Sequence, residues 1–224
     1  MIAYADWIGR AVKFHERLRK LPGEVNVDVR VDPPMDTDAA EKLSRTLRIA
    51  LPSPIRGFVT MGSASCSCSY YWEPPDSPNI RSVLEDVFWP SLSSIGGGVS
   101  LCQVSDCEVA LESCRGVAES FNLAPRERDL WLNTFPFVSL LSGSYVGLYV
   151  GKHRTSADLP VTYLDLEGCS TGAILAANFD RFLTDSEDFL YLAPELLSPI
   201  REIPSAQREL KRQALHKLFS ECLA

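Results

Sequence analysis

The sequence predicts an α+β protein, a central antiparallel sheet flanked by helices, with additional helices at both ends. Three observations carry that expectation. Apolar residues recur at spacings of three and four near the start and the end of the chain, as on one face of a helix. Short β-branched and aromatic runs separated by turn residues fill the second half. The elements do not alternate strand, helix, strand, as a parallel sheet requires.

In order along the chain, Trp7, Ala11, Phe14, Leu18 and Leu21 line one face of an opening helix that Pro22 and Gly23 stop. Over residues 24–35, Val25, Val27, Val29 and Val31 alternate with polar positions, the period of a half-buried strand, and Pro33 and Pro34 break it. An added edge strand is expected there. From Asp36 the period is helical again, with Asp38 three residues before Glu41 as a capping box and Ala40, Leu43, Leu47 and Ala50 facing inward up to Pro52. Ser53-Pro54 then starts a short second helix, the hydroxyl acting as cap and Ile55, Phe58 and Val59 supplying the buried side.

Ser67 to Trp72 reads as a strand, followed by a proline-rich loop from Glu73 to Pro78. Ile80, Val83, Leu84, Val87 and Phe88 outline a short helix. Gly96-Gly97-Gly98 reads as a flexible turn leading into Val99 to Val104, and Val109, Ala110, Val117 and Phe121 mark a further helix with Asp106 near its start. Phe137 to Leu141, a Ser142-Gly143 turn and Tyr145 to Val150 form a hairpin. After the polar loop Lys152 to Leu159, a second strand pair follows in Val161 to Leu166 and Ala173 to Ala176. Asn178 caps a helix carrying Phe179, Phe182 and Leu183, and Ser205 begins a last one with Leu210, Ala214, Leu218, Phe219 and Cys222 on one stripe.

With 46% hydrophobic and 23% charged residues in 224, the composition excludes disorder and suits one core. Twenty-two Lys and Arg against 29 Asp and Glu leave a net charge of −7, which argues against nucleic acid and anionic membranes and leaves a basic or neutral protein as the partner. No apolar run reaches the roughly 18 residues of a membrane span, and Asp6 and Arg10 interrupt any signal core. A cytoplasmic protein is expected. The seven cysteines, an odd number at low density, are expected to be reduced thiols.

Three segments in this order carry a family resemblance. Leu51-Pro52 precedes a short helix with Ile55, Arg56 and Phe58; Phe135-Pro136-Phe137 runs through Ser142-Gly143 to Gly147-Leu148; and Leu159-Pro160-Val161-Thr162-Tyr163-Leu164-Asp165 is followed by Asn178-Phe179-Asp180-Arg181-Phe182-Leu183 and Pro194-Glu195. Together they resemble the SUKH superfamily, the Smi/Knr-like domain of cell-wall-assembly regulators and of bacterial immunity proteins. Met61-Gly62-Ser63-Ala64 stands where the family usually carries Asn-Gly, and Asp165-Leu166-Glu167 where it carries a histidine. The resemblance implies a domain over residues 36–195; outside it, the residue pattern gives a helix and edge strand (1–35) before it and a helix (196–224) expected to pack on it. The resemblance also implies a non-catalytic module that binds a cognate toxin by occlusion. The alternative is an intracellular scaffold or regulator of cell-wall or signalling components.

No catalytic pattern competes. His15, His153 and His216 lie in separate contexts, with His15 and His216 expected as exposed polar residues on charged helices. Cys66-x-Cys68 and the spacing of Cys102, Cys107 and Cys114 provide no CxxC pair, so no metal and no cofactor are expected, and the thiols are expected as small buried hydrophobes. A hydrolase built on an unrecognised cysteine is the remaining enzymatic reading. Charge is more informative: between Glu73 and Glu119 eight carboxylates face two arginines, a net charge of −6. Glu73, Asp76, Glu85, Asp86, Glu108 and Glu112, with His153 and Arg154 from the polar loop, are the candidate partner-binding residues. Tyr70, Tyr71, Trp72 or Trp89 beside them are candidate anchors or core residues.

Overall fold

The three–four spacing of the opening residues and the alternating valines after them become the elements they predict: helix α1 (Tyr4–Leu18) and strand β1 (Glu24–Val31). The structure, a computed structural model, describes residues 2–88, 92–101, 104–140, 143–151, 158–166, 171–193, 196, 200 and 203–224. Then come α2 (Thr37–Thr46), α3 (Ser53–Met61), β2 (Cys66–Glu73), α4 (Pro78–Val87), β3 (Ile95–Leu101), α5 (Val104–Ser120) and α6 (Pro125–Asn133). The chain continues with β4 (Thr134–Ser139), β5 (Tyr145–Tyr149), β6 (Val161–Leu164), β7 (Ile174–Ala176), α7 (Phe179–Asp188) and α8 (Ser205–Cys222). The protein is α+β, its strands divided between two antiparallel sheets ordered β1-β2-β3 and β4-β5-β6-β7. β1 takes the expected edge position.

The chain clusters into two compact units. The first contains Met1–Ile8, Val31–Cys66 and Ser100–Leu183; the second contains Gly9–Arg30, Ser67–Val99 and Thr184–Ala224.

In the first unit β4 to β7 form a meander. Its ladder slips between Pro136 and Val138, where proline offers no N–H to its partner and a bulge absorbs the break. Opposite Pro136 stands Gly147, where a Cβ would come within 2.5 Å of the Phe135 carbonyl oxygen, so no larger residue fits this close approach of strands. One aromatic cluster joins Phe58 of α3, Phe137 of β4 and Phe179 and Phe182 of α7; Phe179 lies 5.8 Å from Phe58 and 5.2 Å from Phe137, edge to face. Trp7 donates its indole N–H to the Leu183 carbonyl at 3.0 Å. A second cluster joins Ala110, Cys114 and Ala118 of α5 to Trp131, Tyr145 and Leu164. These small residues, four apart, let α5 approach Trp131 closely. They form the inner face of α5, while Val109 and Phe121, expected inside, are 62% and 56% exposed.

In the second unit β2 alternates, burying Cys68, Tyr70 and Trp72 and exposing Ser69, Tyr71 and Glu73. Tyr70 and Trp72 meet Leu84 and Val87 of α4 and Leu215, Leu218 and Phe219 of α8, and Trp72 donates to the Pro22 carbonyl at 2.7 Å. The glycine run expected as a turn is part of β3. A Cβ on Gly97 would meet the Tyr191 carbonyl oxygen at 2.4 Å, and Gly98, at φ +151°, gives its N–H to that oxygen at 2.6 Å. The run is strand because backbone passes against backbone there.

Other details correct the sequence reading. Asp36, not Asp38, caps α2, its Oδ1 accepting from Ala39 N at 2.7 Å, and Ala50 is exposed. Pro52 occupies the cap position of α3, making Ser53 the first helical residue rather than the cap. On α8, Leu215 is fully buried and Leu210 is 65% exposed. His15 is fully buried instead of exposed: its Nδ1 lies 2.8 Å from the Ala11 carbonyl, and its ring packs against Tyr70 and Tyr191.

Candidate functional site

Helix α4 begins with Pro78 in its first turn, buries Leu84 and Val87, and thereby turns Glu85 and Asp86 outward. Its last carbonyls are not left to water. The Lys211 ammonium of α8 donates to the Asp86 and Val87 carbonyl oxygens at 2.5 and 2.7 Å, placing a cation at the negative end of the helix dipole. On α5 the buried Ala110–Cys114–Ala118 stripe forces Glu108 and Glu112 to the opposite, exposed face, one turn apart. No ion pair among the described residues involves Glu85, Asp86, Glu108 or Glu112. Like charges at this spacing repel by a few tenths of a kcal/mol, about 0.2–0.5.

Glu73 and Asp76 behave differently. Both line a cavity of about 240 Å³ with Arg81 and Leu84. Asp76 is paired with Arg81, and Glu73 accepts from the Tyr71 hydroxyl at 3.4 Å. The acidic stretch is therefore of two kinds, internally answered at Glu73 and Asp76 and without an ion pair among the described residues at Glu85, Asp86, Glu108 and Glu112. It is also split by unit: Glu73, Asp76, Glu85 and Asp86 fall in the second, Asp106, Glu108, Glu112 and Glu119 in the first. His153, Arg154 and Trp89 lie outside the described residues.

Of the candidate anchors, Tyr70 and Trp72 are core residues and Tyr71 is 40% exposed. The sequence reading missed Val109, which projects from α5 between Glu108 and Glu112. An exposed β-branched residue with a carboxylate one turn away at Glu112 has the make-up of an apolar contact beside a polar rim. The signal that identifies it is the small-residue spacing of Ala110, Cys114 and Ala118, which fixes which face of α5 is inside.

Of the five described cysteines, four are buried: Cys66, Cys68, Cys107 and Cys114. Burial pushes the Cys107 thiol up to about 11 and the Cys114 thiol up to about 12, keeping both protonated and poorly nucleophilic at neutral pH. His216 lies 2.7 Å from the Asp188 carbonyl through Nε2, so that nitrogen carries the proton. Among the described residues no group of three or more His, Cys, Asp or Glu could hold a metal ion, and no helix is long and apolar enough to cross a membrane. Compared with known protein families and with curated proteins, the chain matches none.

Proposed function

We propose that this protein is a non-catalytic binding module, an immunity protein that neutralises a cognate toxin by covering its working surface. The observation that carries the reading is the outer face of α5, where Glu108, Val109 and Glu112 stand exposed and no ion pair among the described residues answers the two carboxylates. A toxin that acts on nucleic acid presents a basic cleft, and such a face would speed encounter with that cleft by about ten- to a thousand-fold and then exclude phosphate from it. Val109 would supply the apolar contact that holds the complex after charge has steered it.

The SUKH resemblance adds support from packing. Phe58, Phe137, Phe179 and Phe182 come from the three resembling segments, and their rings meet in one cluster. Residues from those segments are therefore neighbours in space, as parts of one domain pattern would be.

The test is co-expression of a toxin-like reading frame adjacent to this gene, with and without the protein. Growth arrest should be relieved by the protein and far less by a variant carrying E108K and E112K. Arrest that the unaltered protein does not relieve overturns the proposal.

A further inference from the structure

In the second unit a cavity of about 250 Å³ is bounded by α1, the end of α7 and α8, and neither the acidic faces nor the partner reading uses it. Its rim is cationic in an acidic chain. Arg10 and Arg17 reach it from one face of α1 against a single carboxylate, Glu187, which Arg10 already holds with two N–H donors at 2.6 and 3.0 Å. Arg17 has no ion pair among the described residues. One positive charge is thus left for an occupant.

The wall is aromatic. Phe14 lies 5.3 Å from Tyr191 and 6.3 Å from Phe219, ring centre to ring centre, and all three line the cavity. Backbone geometry singles out the same place. Leu190 and Tyr191 both hold φ at +56°, a left-handed conformation that bulky residues rarely adopt. It is clamped from behind by the Tyr70 hydroxyl donating to the Leu190 carbonyl at 3.2 Å and Gly98 N donating to the Tyr191 carbonyl at 2.6 Å. Maintained backbone strain of this kind collects at ligand clamps, and here it sets Tyr191 into the wall.

From these features we infer that the cavity binds a small aromatic carboxylic acid, its ring against Phe14, Tyr191 and Phe219 and its carboxylate on Arg17. The size fits: pockets for drug-sized ligands run from about 300 to 1,000 Å³, and this one, just below, suits one ring with a short charged arm. An arginine reads a carboxylate with two parallel donors, so charge and ring must be recognised together.

The probe is phenylacetate, titrated into the full-length protein by calorimetry and by NMR. Saturable binding with Kd near or below about 1 mM is expected. Acetate, which lacks the ring, and 2-phenylethanol, which lacks the charge, should each bind at least about tenfold more weakly. Arg17→Gln should weaken phenylacetate about tenfold while leaving 2-phenylethanol unchanged. Ser220→Trp, a bulky side chain at an exposed lining position, should abolish binding with an unaltered melting temperature. Phenylacetate that does not saturate by about 10 mM, 2-phenylethanol bound as tightly as phenylacetate, or Arg17→Gln indistinguishable from the parent would each overturn the proposal.

Discussion

The two sheets solve the same problem by opposite means. In the first unit every residue of β6 and the first five of β4 are buried, the signature of strands covered on both faces. In the second, β2 buries every other residue and keeps the rest toward solvent. The first core is closed by phenylalanine edges, with Tyr4 against two of the rings; the second admits a histidine between Tyr70 and Tyr191. A core covered on both faces is vulnerable to loss of volume, whereas one that buries an imidazole is sensitive to proton concentration as well.

The largest test of that contrast is Phe179→Ala, which empties the centre of the phenylalanine cluster and should cost about 3–5 kcal/mol of stability. Denaturant melts measure the loss, and hydrogen exchange should show it in β4 to β7 and α7. His15 sharpens the other side. Burial lowers its pKa below the usual 6.5, with the Ala11 carbonyl and Glu16 opposing. The unfolded chain therefore takes up the proton first. Stability is whole above pH about 6.5 and declines as pH falls from there toward the depressed folded-state value. His15→Leu should remove that acid sensitivity and, by eliminating an Nε2 with no hydrogen-bond partner among the described residues, change stability near pH 7 by no more than about 1 kcal/mol. Thermal melts from pH 7 to pH 5 provide the check.

Lys211→Met should cost about 1 kcal/mol, because two carbonyls at the end of α4 lose their ammonium donor. Amide exchange at that end should rise first. The smallest stability effect belongs to the double reversal E108K and E112K, expected within about 0.5 kcal/mol of the parent. Its mark is kinetic: association with a basic partner should slow at low salt, and the difference should shrink as salt screens it. An unchanged on-rate would move the interface off α5.

Where the chain could be read correctly, a single physical pattern dominated. Trp7, Ala11, Leu18 and Leu21 are buried as their spacing requires, and β4 pairs antiparallel with β5 as the hairpin requires. Helix α6 was invisible because its sequence, PRERDLWLN, buries only Trp131 and so carries no stripe. The glycine strand was hidden for the opposite reason, since its cause is the Tyr191 backbone about a hundred residues away in sequence. His15 looked solvated beside Glu16 and Arg17, yet one helical position decides which side chain faces the rings. At the acidic stretch, the composition showed the charge. Which carboxylates were already answered, as Asp76 is by Arg81, and which unit each belongs to depend on tertiary structure.

The threading of the chain through both units has a consequence for synthesis. The last stretch of the first unit ends at Leu183, whereas the second draws on Thr184–Ala224. As the polypeptide emerges from the ribosome, the face bearing Glu108 and Glu112 has all its supporting residues first, while Tyr70 and Trp72 must wait for Leu218 and Phe219. In that interval β2 is a nascent aromatic strand that lacks the α8 part of its cover, the moment at which a chaperone would matter most.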